Sequence, residues 1–133
     1  MPAWITVRTP GDGRVATSRA PFNPETTDAL VRAARRVRRE PSAEPHFSIY
    51  VALLELAADD YGLYVGMTGL TPEERFRNHK AGHKASKWVR KYGVGLLPAL
   101  YRHLNPLSYE HATLAEVALA EALRGTGVRV WQA

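Results

Sequence analysis

Phe47-Ser48-Ile49-Tyr50-Val51-Ala52-Leu53-Leu54 and, a short interval later, Leu63-Tyr64-Val65-Gly66-Met67-Thr68 decide the fold of this chain. Apolar residues recur along both runs with a period of two, the repeat of an extended strand rather than of a helix. Phe47, Ile49, Val51 and Leu53 then share one face, and Ser48, Tyr50, Ala52 and Leu54 the other. In the second run Leu63, Val65 and Met67 oppose Tyr64, Gly66 and Thr68. Asp59, Asp60 and Gly62 supply turn chemistry between the runs, so the simplest product is an antiparallel hairpin. If the register cooperates, Tyr50, Tyr64 and Thr68 open onto one face. Gly66, lacking a side chain, leaves room there for a ligand or a backbone to approach. The alternative reading is that both tyrosines simply pack a sheet.

After Thr68 the period changes. Thr71-Pro72-Glu73-Glu74 reads as a helix start, with Thr71 as N-cap, Pro72 at the first helical position and Glu74 closing a capping box. Gly82 is the expected stop. Helical spacing puts Arg75 and His79 one turn apart on one side, so both are expected to face one anion. A guanidinium can hold a phosphate through two parallel hydrogen bonds, which an ammonium cannot do with that geometry.

Seven basic residues stand between Arg75 and Lys91, namely Arg75, Arg77, Lys80, Lys84, Lys87, Arg90 and Lys91, with no acid among them. Trp88 and Tyr92 are interleaved. Charge of one sign with stackable rings suits a nucleic acid, whereas an ordinary soluble surface mixes its signs. An interfacial membrane helix would need an apolar face that this stretch lacks.

A further helix is expected from about Tyr109 to Arg124, stopped by Gly125. Ala112, Ala115, Leu119, Ala122 and Leu123 form its buried stripe, and Glu116 falls on the same stripe. A carboxylate so placed must be paired, protonated or bound to a metal. A salt bridge to Arg75 or Arg102 is the structural alternative. Glu110 and Glu121 lie on the outer side.

With 133 residues, 45% of them hydrophobic, the chain fits one modest core. The formal net charge of +5 and pI near 9.8 favour a polyanionic partner. The absence of cysteine excludes disulfides and thiolate zinc sites. His46, His79, His83, His103 and His111 have no spacing typical of a metal site. No apolar run is long enough to span a membrane and no secretory signal is visible, which makes the cytoplasm the default. In the N-terminal part, Trp4-Ile5-Thr6-Val7, Pro10-Gly11-Asp12-Gly13 and Arg14-Val15-Ala16-Thr17 read as a small hairpin. Asn23-Pro24 then opens a helix with an apolar stripe of Ala29, Leu30, Ala33, Ala34 and Val37, lined by Arg32, Arg35, Arg36, Arg38 and Arg39. Pro41 helps to end it. Residues 1–45 are thus expected to dock on the domain formed by 46–133 and to extend its basic surface.

Taken in order, these residues resemble the GIY-YIG nuclease superfamily, which includes homing endonucleases, restriction enzymes and excision-repair and structure-specific nucleases. The resemblance covers roughly Phe47 to Trp131. Ser48-Ile49-Tyr50 stands where the family has GIY, and Tyr64-Val65-Gly66 matches YIG. Arg75 and His79 match the family's arginine and its following His or Tyr, and Glu116 aligns with its metal-binding glutamate. Ser48 replaces the first glycine. The gap between the tyrosines is longer than usual, which is expected to lengthen the Ala57–Gly62 turn. The polar residue that often closes the motif has no match at the usual place, Gln132 lying at the C-terminal end.

The resemblance implies an α/β (α+β) fold, a small central antiparallel or mixed sheet flanked by helices. Its strands are expected near 47–54, 63–68 and 95–102, with a short one at 128–131. It further implies a metal-dependent endonuclease hydrolysing DNA. Magnesium, or manganese, would sit on Glu116, Arg75 would grip the phosphate, and Tyr50 would act as base. Tyr64 would orient the phosphate or water, and His79 would assist proton movement. Gly66, Thr68, Arg77, Lys80, Lys84, Lys87, Trp88, Arg90 and Lys91 are the expected nucleic-acid contacts. DNA is the expected partner, with RNA left open, no membrane, and a partner protein or homodimer as a further expectation. An inactive nucleic-acid-binding module of the same fold is the alternative, and a purely structural domain the third reading.

Overall fold

Alternation along 48–57 and 60–68 is realised as β1 (Ser48–Ala57) and β2 (Asp60–Thr68), paired antiparallel. The computed structural model describes residues 21–133; the hairpin expected at 4–17 lies outside the described residues. Only Ala58 and Asp59 connect the two strands, and Asp59 adopts a left-handed φ of 58°, a conformation that Asp tolerates better than most residues. The expectation of an enlarged Ala57–Gly62 turn is therefore corrected. The additional residues lengthen the strands instead, with a register shift between Glu55 and Ala57.

The sheet has the order β3-β1-β2-β4. Strand β3 (Gly93–Leu96) runs antiparallel to β1, and β4 (Val130–Gln132) runs parallel to β2, giving a mixed sheet in an α/β fold. The third strand expected at 95–102 is shorter and begins earlier. Pro98 has no N–H for a ladder, and it opens the first of two 3-10 turns, Pro98–Leu100 and Arg102–Leu104. Their leucines, Leu100 and Leu104, are still buried, so the apolar run packs the core without being extended.

Because β1 is interior to the sheet, Ile49 and Tyr50 are both buried although they point to opposite faces. Beyond the end of β3, the Asn105 side chain completes the β1 ladder. It accepts from the Ile49 N–H and donates to the Ile49 carbonyl, both at 2.7 Å. One residue short of Tyr50, the strand is thus held as firmly as by a neighbouring strand.

Helix α2 (Pro72–Ala81) starts as its sequence dictates. The Thr71 hydroxyl accepts from the Glu74 N–H at 3.1 Å and donates to the Glu74 carboxylate at 3.0 Å, and Gly82 ends the helix at φ 88°. Helix α3 (Lys87–Tyr92) is capped by Ser86. These two helices lie on the tyrosine face of the sheet, where His79 meets Tyr50 and Tyr64 and Trp88 meets Trp131. On the other face lies α4 (Tyr109–Arg124), whose Thr113 contacts Met67. Its inward stripe of Ala112, Leu119 and Leu123 is buried.

Helix α1 (Pro24–Arg36) is capped by Asn23 and places Leu30 and Ala34 in the core, packed against α4. His103 Nε2 meets the terminal carbonyls of Ala34 and Val37, each at 3.0 Å. Arg32, Arg35, Arg36, Arg38 and Arg39 are exposed. Among the described residues, no helix is long and apolar enough to cross a membrane.

Candidate active site

Register builds the site. Tyr50 pairs with Gly66, Ala52 with Tyr64 and Ser48 with Thr68, so both tyrosines occupy the same face, their ring centroids 6.3 Å apart. The Tyr50 ring lies across Gly66. A Cβ there would stand 2.5 Å from the Tyr50 hydroxyl oxygen. The room that glycine leaves is filled by this phenol rather than by an incoming ligand, which revises the role expected for Gly66. Thr68 is also turned to a local task, its hydroxyl accepting from the Leu70 N–H at 3.0 Å.

His79 is 1% exposed. Its Nδ1 lies 2.9 Å from the Ser86 backbone N–H, and its Nε2 lies 2.8 Å from Tyr50 Oη. A backbone amide can only donate, so Nδ1 is the acceptor and the neutral ring carries its hydrogen on Nε2. His79 therefore donates to Tyr50. Burial, assisted by the Arg75 charge, lowers the His79 pKa to about 4, which keeps the ring neutral at ordinary pH. The expectation that His79 and Arg75 face one outer anion is corrected, because His79 points inward.

Arg75 is half-buried and also acts locally. It donates to the carbonyls of His83 at 3.3 Å and Lys84 at 2.9 Å. Those bonds hold the chain where Lys84 takes a left-handed φ of 44°, just before the Ser86 amide that orients His79. The guanidinium's charge also reaches Tyr50, favouring its ionised form. Even so, burial and then Tyr64 raise the Tyr50 pKa well above the ordinary phenol value. Tyr64 is raised as well, chiefly by burial, with the neighbouring Ser86 hydroxyl opposing the shift.

Glu116 reaches the site from α4. It is buried and has no ion pair among the described residues, so neither Arg75 nor Arg102 neutralises it. Burial raises its pKa, while the adjacent Gln132 side chain works in the opposite direction. Its charge acts on both tyrosines, as does that of Arg75, so the tyrosines are the groups through which Glu116 and Arg75 share one site. The described residues contain no cluster of three His, Cys, Asp or Glu side chains. A metal would thus be held by the Glu116 carboxylate with water or substrate oxygens completing the shell, since the Gln132 Oε1 already accepts from Arg124 at 3.0 Å. Magnesium commonly binds in this way, and the donor set fits it.

The basic stretch divides. Lys84, Lys87, Arg90 and Lys91 are exposed. Arg77 and Lys80, also exposed, line a groove of about 440 Å³ with Phe76, Val94 and Leu96, on the β3 side of α2. Lys80 donates to the carbonyls of Arg90 at 2.8 Å and Gly93 at 3.0 Å, and burial lowers its pKa. It therefore ties α3 to α2. Trp88 is half-buried and stacked on Trp131.

Sequence reasoning did not single out Ser86 or Trp131, and it left Gln132 without a role. Ser86 stands seven residues after His79 with no signal beyond being a helix cap. Gln132 and Trp131 enter only through the parallel pairing of a three-residue strand. No protein-family model matches the chain, and no curated protein or solved structure shows significant similarity to it.

Proposed function

We propose that this protein is a metal-dependent endonuclease that hydrolyses phosphodiester bonds in DNA, with the cytoplasm as its compartment. The observation that carries the reading is the convergence of Tyr50, hydrogen-bonded to neutral His79, with Tyr64, Arg75 and buried, unpaired Glu116. A bound divalent ion would relieve negative charge on the phosphate. Glu116 would hold that ion.

Arg75, with N–H groups remaining after its two carbonyl bonds, faces the phosphate and stabilises its developing charge. The phenolate form of Tyr50, its own proton having passed to solvent, accepts a proton from the attacking water. Because the His79 Nε2–H already donates to its oxygen, the hydroxyl hydrogen of Tyr50 is directed away from His79 and into the site. When that hydrogen leaves, the phenolate retains the His79 hydrogen bond and the nearby Arg75 charge. Tyr64 orients the water or a phosphate oxygen. The P–O bond to the leaving group breaks as the water oxygen bonds to phosphorus, and the leaving oxygen is protonated from solvent.

The exposed cations of 84–91 favour a polyanion whether or not the site turns over, which supports the binding-module reading as the alternative. Incubating wild-type and Glu116→Ala protein with supercoiled plasmid, with magnesium or manganese and with chelator, separates the two. Metal-dependent nicking by wild-type alone is the expected result. Salt-sensitive binding without nicking by either would replace the nuclease by the binding module.

A further inference from the structure

Next to the tyrosine face, the β4 edge carries a second aromatic group. Trp131 pairs in register with Tyr64 and so lies on the same face. It sits over Gly62, where a Cβ would come within 2.6 Å of its ring. Trp88 of α3 stacks on Trp131 with ring centroids 4.7 Å apart and planes 29° apart. Tyr92, one turn further on, continues the row at 5.9 Å and 30°. Each ring has its own cation. Arg129 is 5.9 Å from the Trp131 centroid, Lys87 is 5.9 Å from Trp88, and Lys91 is 5.1 Å from Tyr92. All three rings are partly exposed, while Lys87, Lys91 and Arg129 are exposed. Arg129 is shared with Asp60, with which it forms an ion pair.

We infer that Trp131, Trp88 and Tyr92, with Lys87, Lys91 and Arg129, bind unpaired bases of a nucleic acid, so that the substrate has a single-stranded stretch beside the bond to be cut. The inference rests on the nuclease reading only for the position of that bond. A base inside a duplex has both faces covered by its neighbours and presents none to a protein ring. An unpaired base stacks on any aromatic surface regardless of sequence, and its phosphates meet the adjacent cations. Because Trp88 is stacked on both Trp131 and Tyr92, a free base continues the row from its outer end at Tyr92, which a base covered on both faces in a duplex cannot do.

Fluorescence tests this in a Trp4→Phe background, which leaves Trp88 and Trp131 as the two tryptophans. The protein is titrated in chelator with single-stranded oligothymidylate, with a duplex of equal length and with polyglutamate. Quenching by the single strand, at roughly tenfold higher affinity than the duplex, is expected. Trp88→Leu should lose roughly that tenfold and keep its duplex affinity. Lys87→Gln with Lys91→Gln leaves the ring packing intact and should lower the single-strand salt slope by about 1.4. Equal affinity for single strand, duplex and polyglutamate overturns the inference, as does an unchanged slope in the folded double variant. Because these titrations exclude metal, they are independent of the plasmid assay: quenching here with no nicking there upholds the surface and counts against the nuclease, whereas nicking there without single-strand preference here does the reverse.

Discussion

His79 donates its Nε2 hydrogen to the Tyr50 hydroxyl across 2.8 Å, in a tautomer fixed from behind by the Ser86 amide. The donor is thus set by backbone, through a loop whose carbonyls Arg75 holds. Two of the candidate catalytic groups are therefore oriented by a third, acting at a distance through the chain at 83–86.

Nicking should rise with pH. A raised Tyr50 pKa leaves little phenolate at neutral pH, and that fraction grows about tenfold per pH unit below the pKa. Since the His79 pKa is lowered to about 4, the profile should show no inflection at the ordinary histidine value. Initial rates of plasmid nicking between pH 5.5 and about 9 measure this. A flat profile, or undiminished cutting by Tyr50→Phe, eliminates Tyr50 as base.

Acid should weaken the fold through His79. The native pKa lies below the unfolded one, so the contribution to stability is complete above 6.5 and is lost as pH falls toward about 4. The full loss is on the order of 3 kcal/mol. His79→Gln, which cannot take up the proton, should lack this component. Denaturant unfolding of both proteins across that window should show wild-type falling toward the variant; parallel curves would refute the assignment.

Glu116→Gln should separate chemistry from stability. With its pKa raised by burial, the ionised carboxylate opposes folding at neutral pH, and a neutral amide relieves that cost. Unfolding free energy should stay level or increase by about 1 kcal/mol. Cutting should fall at least about a thousandfold, since the ion's charge relief is worth several kcal/mol. Retained cutting at equal metal concentration would show that Glu116 is not the ligand.

Gly66→Ala should displace Tyr50. The added methyl group would stand 2.5 Å from the hydroxyl oxygen and 2.6 Å from Cζ, so the ring must leave its place beside His79. A destabilisation of about 1–3 kcal/mol is expected, together with loss of nicking in protein that remains folded by circular dichroism. Wild-type activity in this variant would mean that the ring position is immaterial.

Local chemistry was legible in the sequence and long-range pairing was not. The hairpin follows from alternation, α2 from Thr71 and Pro72, and α4 from its apolar stripe ahead of Gly125, because each depends on residues close in sequence. The apolar run 95–102 was misleading. Turn and strand can both bury leucines, and only the missing N–H of Pro98 distinguished them. The stacking of Trp88 on Trp131 joins residues far apart in sequence. Likewise the burial of Gly66 beneath Tyr50 depended on a register that alternation allows but does not select.

Among the described residues, the two long strands of the sheet are interior, while β3 and β4, at four and three residues, form its borders. An exposed strand edge is a template on which another molecule can add its own backbone, and short edges limit that template. Molecules of this protein brought together at high local concentration thus have little ladder to offer each other, and edge-to-edge aggregation is suppressed by the lengths of the outer strands.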